Sequence, residues 1–273
     1  MLARKATALL FAALVAAAPS CRKAPGGGHS VESMTVSMAG STSVMPFTEK
    51  LAEMFMIQNP SHVINVQAGG SSAGIQACLT GTVTIGMSSR ELNAAEKTLK
   101  EIVICWDGIV VVVNSENPVR SLSIEQVRDI YSGKTTNWKE LGWIDRGIDA
   151  VTREEGSGTR GAFEELVMKK VEISDAIMVQ DSNGSVKEVV ASDPYAIGFL
   201  SLGMIDNRVA PVKIDGVDPT VANIKKKAYR IVRPFLYLTN GEPPPAAKFF
   251  IDYVLSKQGQ EILRKEGLIP ANE

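Results

Sequence analysis

Arg153-Glu154-Glu155-Gly156-Ser157-Gly158-Thr159-Arg160 packs hydrogen-bond donors into eight residues. An apolar run, Ile148 to Val151, precedes it, and Ala162, Phe163, Leu166 and Val167 follow on one helical face. A strand, a Gly/Ser/Thr loop and a helix start in that order aim free backbone N–H groups at one place, where the helix dipole adds partial positive charge. Arg153 can add a full charge and a two-pronged hydrogen bond. The chemistry this suits is the capture of a small oxyanion.

The device recurs. Gly40-Ser41-Thr42-Ser43 follows the strand pattern of residues 35 to 39, and Gly69-Gly70-Ser71-Ser72-Ala73-Gly74 follows that of Val63 to Gln67. Val83 to Met87 is a further strand, leading into Ser88-Ser89-Arg90. One Gly/Ser loop before a helix is usually no more than a good cap. Three of them, each after a strand, favour an anion site, because ligands of open α/β sheets bind beyond the carboxyl ends of the strands.

Two enzyme patterns fail on inspection. Gly70-x-Ser72-x-Gly74 fits a hydrolase nucleophile elbow, but that arrangement needs a histidine later in the chain, and the two histidines, His29 and His62, both precede it. Ser132-Gly133-Lys134-Thr135 ends like a phosphate-binding P-loop, yet Arg128 stands where its first glycine belongs. No His/Cys/Asp/Glu cluster has metal-site spacing, so neither a metal nor a cofactor nor a catalytic set is expected. The formal charge is −1, and 27 bases face 30 acids once residues 1 to 20 are set aside, which argues against a nucleic-acid binder.

The elements that must carry these loops alternate strand and helix, which means an α/β protein with mainly parallel sheets. Val44, Phe47, Leu51, Met54 and Phe55 share a helix face that Asn59-Pro60 ends, and Ser123-Ile124-Glu125-Gln126 is a capping box. A turn-rich helix is expected over 93 to 100. Ile109 to Val113 reads as a parallel strand covered on both faces, Asn114 to Pro118 as a crossing point, Ile231 to Leu238 with its internal Pro234 as an edge or crossing strand, and the chain after Glu242-Pro243-Pro244-Pro245 as a final helix with Ala247, Phe250, Ile251 and Val254 on one side. Arg4 and Lys5 ahead of a thirteen-residue apolar run, Ala6 to Ala18, read as a signal peptide over 1–20. Cys21 after Pro19-Ser20 suits lipidation, with a flexible tether over 21–33. Cys78 and Cys105 could pair in an oxidising compartment or stay as buried thiols, and spacing does not decide.

Taken in order, Gly40-Ser41-Thr42-Ser43-Val44, Gly69 to Ile75, Ile85-Gly86-Met87-Ser88-Ser89-Arg90, Tyr131-Ser132-Gly133-Lys134 with Asn137-Trp138, the Arg153 to Arg160 stretch and Ala196-Ile197-Gly198 closely resemble the phosphate-binding proteins of bacterial phosphate ABC transporters, the PstS family. The resemblance implies a two-lobed periplasmic-binding-protein fold of type II, with the ligand in a cleft between lobes. Lobe 1 would hold 31–112 plus 229–273 and lobe 2 would hold 113–228. It implies a monomer outside the cytoplasmic membrane that hands phosphate to a permease and its ATPase. A signalling role or a general, sulfate-like oxyanion role is the alternative. Matched motif by motif, the phosphate ligands would be Thr42, Ser43, Ser71, Ser89, Arg153, Ser157, Gly158 and Thr159, with Arg90 adding charge. Better-known members have an aspartate where Ser89 stands, to accept the proton of hydrogen phosphate and repel sulfate. A substitute acceptor would be Asp107, Glu154 or Glu155.

Overall fold

The computed structural model describes residues 34–273. The expected signal peptide and tether, with Cys21, lie outside the described residues. In chain order the strands are β1 (Met34–Gly40), β2 (His62–Ala68), β3 (Ile85–Ser88), β4 (Lys100–Asn114), β5 (Ser121–Leu122), β6 (Asp149–Arg153), β7 (Met178–Gln180), β8 (Ala196–Ser201), β9 (Val209–Pro211), β10 (Lys213–Ile214), β11 (Val232–Thr239) and β12 (Ile269–Pro270). The helices are α1 (Met45–Gln58), α2 (Ser71–Leu79), α3 (Ile124–Tyr131), α4 (Gly158–Phe163), α5 (Asn183–Ser192), α6 (Val221–Lys225), α7 (Pro245–Leu255) and α8 (Lys257–Lys265).

One sheet takes its main path in the order β2-β1-β3-β11-β4-β8-β6-β7. Its two wings are parallel: β1 with β2 and β3, and β6 with β7 and β8. Its centre is antiparallel, with β11 against β3 and β4, and β4 against β8 and β9. The sheet is therefore mixed, which corrects the expectation of mainly parallel strands. Ile109, Val111 and Val113 enter one apolar core while Val110 and Val112 enter another. An unbroken apolar run reports cover on both faces, and it carries no information on strand direction.

Two lobes follow from how the cores divide. Val36, Phe47, Leu51, Phe55, Met87, Cys105, Phe235 and Phe250 pack together on one side. Ile109, Tyr131, Trp138, Phe163, Phe199 and Ile231 pack together on the other. Burying each large side chain contributes about 1.5–3 kcal/mol, so each lobe has a core of its own. The chain passes between them inside β4, after Cys105 and before Ile109, not at Asn114 to Pro118. That segment is a turn, pinned where Asn114 Nδ2 donates to Val190 O and Ala191 O at 2.9 Å each.

The remaining local expectations meet different outcomes. No helix forms over 93 to 100: Asn93 Oδ1 accepts from the N–H of Ala95 and Glu96 at 3.1 and 3.2 Å, closing a turn, and β4 begins at Lys100. The strand with Pro234 is not an edge but does cross between the cores; β3 pairs only with Leu236–Leu238, so there is no strand on that side for the missing N–H to serve. The helix expected to bury Ala247, Phe250, Ile251 and Val254 is α7, but it is not the last: α8 follows, capped by Ser256. Cys78 and Cys105 are both free and buried, in different cores. Ser123 and Gln126 form both bonds of the capping box.

Candidate functional site

Because β1, β2 and β3 run parallel, the loops after them emerge at one edge of the first lobe. Those after β6 and β7 emerge together from the second. The two sets meet. Ser72 N donates to Gly156 O at 3.0 Å across the join, and Ser43 Oγ lies 2.8 Å from Thr159 Oγ1. Ser41, Ser43, Ser71, Ser89, Ser157 and Thr159 are all buried. Ser41 Oγ donates to Ser89 Oγ at 2.8 Å, and the Ser89 N–H donates to Ser71 Oγ at 3.1 Å. Gly158 faces this group: a Cβ there would lie 2.6 Å from Ser89 Oγ and nearer still to Ser71 Oγ. Only a residue without a side chain lets the second lobe come this close. Gly70, at φ 84°, similarly holds a backbone conformation that favours glycine, and a Cβ there would stand 3.1 Å from Gly156 O.

Two guanidiniums bound the hydroxyl group, each 1% exposed. Arg153 Nε and Nη2 donate to the two oxygens of Glu154 at 3.0 and 2.9 Å, and Nη2 also reaches Thr42 Oγ1 at 3.2 Å and Asp181 O at 3.0 Å. Its Nη1 is buried without a protein partner. Arg233, on β11, donates through Nε and Nη2 to Asp107 Oδ2 at 3.1 and 3.0 Å. Its other contacts are Thr159 Oγ1 at 2.8 Å, Ser43 Oγ at 3.1 Å and Ser89 O at 3.2 Å. Arg233 thus touches both lobes.

Burial pulls both guanidinium pKa values down and raises that of the Asp107 carboxyl, while each ion-pair partner pulls the other way. Arg153 also acts on Arg233 as a like charge, so the two cations repel across the hydroxyls. An anion between them relieves that repulsion. In a dry site its hydrogen bonds to charged donors are at their strongest.

The site gathers Thr42, Ser43, Ser71, Ser89, Arg153, Ser157, Gly158 and Thr159. It does not gather every expected residue. Arg90 turns aside: Nη1 and Nη2 pair with Glu96 at 2.8 and 2.9 Å, and Nη2 also donates to Ser72 Oγ at 3.2 Å. Glu155 is exposed. Glu154 has both oxygens on Arg153, and Asp107 spends its own on Arg233 and on Ser201, whose Oγ donates at 2.9 Å. Three members were missed. Ser41 accepts from the Ser43 and Val44 N–H groups, leaving its proton for Ser89. Asn183 Nδ2 donates to Ser43 Oγ at 2.8 Å and Thr42 Oγ1 at 3.2 Å. Arg233 could have been found as a lone charge inside an apolar strand. His62, the sole histidine among the described residues, packs on Phe55 and Phe249, so Ser72 has no imidazole base there. No group of three or more His, Cys, Asp or Glu could hold a metal among the described residues.

Two lobes closed over a cage of N–H and O–H donors define a solute receptor of the clamshell class. Comparison agrees: the model of the PBP superfamily domain matches residues 24–258. The phosphate-binding protein PstS of Bacillus subtilis is 33% identical over 97% of this chain and 93% of its own. A Clostridium perfringens protein assigned to phosphate ABC transport as a substrate-binding protein, solved with bound phosphate, is 44% identical, covering 87% of this chain and 99% of that one with a TM-score of 0.84. An ABC-type phosphate transport receptor from Vibrio cholerae is 36% identical over 86% and 99%, with a TM-score of 0.72. The chain belongs to the PstS family of the PBP superfamily.

Proposed function

We propose that this protein captures inorganic phosphate between its lobes outside the cytoplasmic membrane and delivers it to the permease of an ABC transporter. The observation that carries the reading is the buried donor cage. Hydroxyls from the loops after β1, β2, β3 and β6 converge there, and two buried arginines donate to them, Arg153 to Thr42 and Arg233 to Ser43 and Thr159. Thr42, Ser43, Ser71, Ser89, Arg153, Ser157, Gly158 and Thr159 are the ligand-binding set, and Arg233 extends it. Each arginine is already balanced by a carboxylate, so the anion is held by oriented dipoles and by the unpartnered Nη1 of Arg153 more than by net charge.

The reading is of a receptor, not an enzyme, like the substrate-binding relatives. The lobe bounds follow the cores and not the expected 112/113 and 228/229 divisions: lobe 1 gives way to lobe 2 between Cys105 and Ile109, and the chain returns to lobe 1 between Ile231 and Phe235, the protein acting as a monomer. Among the described residues no helix is long and apolar enough to cross a membrane. We assign membrane attachment to lipid on Cys21.

A second reading, a general oxyanion receptor, draws on Ser89, a neutral group that can donate as well as accept. Calorimetric titration of the tether-free, ligand-stripped protein with phosphate and then sulfate decides between them. Phosphate binding without sulfate binding is the expected result, and equal binding establishes the broader receptor. Arg153→Ala removes a buried charge-assisted contact and is expected to cost about 2–5 kcal/mol, at least thirtyfold in affinity. Unchanged affinity means the anion sits elsewhere.

A further inference from the structure

A hydroxyl carries one proton and two lone pairs, so by itself it can serve an anion or a proton. At three of the cage hydroxyls the neighbours remove that freedom. Thr42 Oγ1 accepts from Arg153 Nη2 and Asn183 Nδ2, both at 3.2 Å. Ser43 Oγ accepts from Asn183 Nδ2 and Arg233 Nη2 at 2.8 and 3.1 Å. Ser157 Oγ accepts from the N–H groups of Thr159 and Arg160 at 3.2 and 3.3 Å. Each of these oxygens has both lone pairs engaged and can act only as a donor, the Ser43 proton having Thr159 Oγ1 within reach at 2.8 Å. Glu154 and Asp107 are engaged by the arginines. The cage is well supplied with donors, whereas a ligand with its own proton needs an acceptor.

Five side-chain polar atoms are buried without a partner among the described residues. Two belong to residues bonded into the cage: Arg153 Nη1, which can only donate, and Asn183 Oδ1, which can only accept. Asn183 is 0% exposed, and its Nδ2 and Arg153 Nη2 meet on the same oxygen, Thr42 Oγ1. This orphaned pair matches an oxyanion that keeps one proton. Resting on the phosphate reading above, we propose that Asn183 Oδ1 is the specificity-determining acceptor that takes the hydrogen bond from the P–OH of hydrogen phosphate.

The proton stays on the phosphate, and no bond is made or broken. Sulfate at neutral pH has no proton, so it sets a bare oxygen against Oδ1 and leaves the buried acceptor unpaired. The amide discriminates by a missing hydrogen bond instead of by negative charge. It lies on the second lobe, on α5, whereas Ser89 lies on the first, so the acceptor would have moved across the cleft.

The test compares phosphate with sulfate in the unaltered protein, Asn183→Leu and Asn183→Asp, by competition against labelled phosphate at neutral pH, a format that reads weak ligands. Asn183→Leu is expected to lose about 10- to 100-fold for phosphate and less than about threefold for sulfate, collapsing the preference. Asn183→Asp keeps an acceptor and is expected to keep the preference. If Asn183 merely braces Thr42 and Ser43 through Nδ2, both anions weaken equally in Asn183→Leu and the ratio stands, which overturns the assignment. Loss of the preference in Asn183→Asp overturns it too, without reliance on the leucine variant folding. Failure of the unaltered protein to bind phosphate would sink the phosphate reading itself. A preference in the unaltered protein that survives in Asn183→Leu sinks only the role of Asn183.

Discussion

Gly158→Ala places one methyl group where the lobes meet. Its Cβ would stand 2.6 Å from Ser89 Oγ and 2.9 Å from Ser71 Cβ, and closer again to Ser71 Oγ, whereas ordinary contact begins near 3.4 Å. Clearing Ser89 Oγ alone needs the lobes to part by about 0.8 Å at this point, and clearing Ser71 Oγ needs more, unless the two serines move instead. Overpacking of this kind costs about 1–3 kcal/mol, which is about 5- to 150-fold in affinity when only the closed form suffers it. The hydrogen bonds that span the join, Ser43 with Thr159 and Arg233 with Thr159, are 2.8 Å long and weaken as they stretch. Gly158 has no left-handed φ and opens α4, so alanine adds no backbone strain within its own lobe. Calorimetry should therefore show weaker phosphate binding. Thermal melts without phosphate should match the unaltered protein, and the shift that phosphate adds to the melt should shrink. Affinity within twofold of the unaltered protein would mean that the bound state does not bring Gly158 against Ser71 and Ser89. A large fall in the phosphate-free melt would place the damage inside the lobe.

Glu96 is held below the usual carboxylate range, first by its hydrogen bonds from Arg90, so its contribution to stability is present above pH 4.5 and is lost as pH falls through the lowered value. Unfolding free energies from pH 6 to pH 3 should show the gap between the unaltered protein and Glu96→Gln closing at the acid end, and a constant gap would refute this. Burial raises the thiols of Cys78 and Cys105, the latter well above its ordinary value, so neither should be alkylated at pH 8 until denaturant is added. Prompt labelling of the folded, tether-free protein, counted by mass spectrometry, would contradict that. Arg233→Met strands a buried Asp107 and should lower urea stability by about 3–5 kcal/mol, with Asp107→Leu added to it restoring part of the loss. A single-variant cost under about 1 kcal/mol would show that the pair is not desolvated as described.

What could be read from the sequence is what is written locally. Gly70-Ser71, Arg153 and Ser157-Gly158-Thr159 each announce themselves within a strand-loop-helix unit, because the groups that cap a helix and face an anion are chain neighbours. Arg233 is written nonlocally: its counter-charge Asp107 is 126 positions earlier, and both stand in apolar strands that read as core. Asn183 is hidden for another reason. The strand before it, β7, has three residues with Met178 and Val179 exposed, so the unit lacks the apolar run that flags the others. The helix cap there is Ser182, which draws attention from its neighbour. Strand direction was misread at Ile109 to Val113 because cover on both faces is what parallel strands usually have, and this antiparallel strand has it too. Arg90 was misassigned because a guanidinium beside a hydroxyl loop looks available until Glu96, six residues on, is seen to hold it.

The joint between the lobes has mechanical meaning. β4 and β11 each run from one core into the other, and they pair where they pass, Val232 with Gly108 and Arg233 with Asp107, with a shift of register just beyond, between Phe235 and Leu236. The lobes therefore share a pair of stiff ribbons rather than a slack cord, and a change of angle has to be taken up as twist in a few ladder rungs. Arg233 holds the Asp107 carboxylate of one of those rungs with Nε and Nη2 and reaches the cage hydroxyls with Nη1 and Nη2. The ligand's pull is applied beside the fulcrum, where the lever arm is shortest. Small displacements there become large ones at the rims of the lobes, so a permease reading the outer surface would receive an amplified copy of an event a few atoms wide.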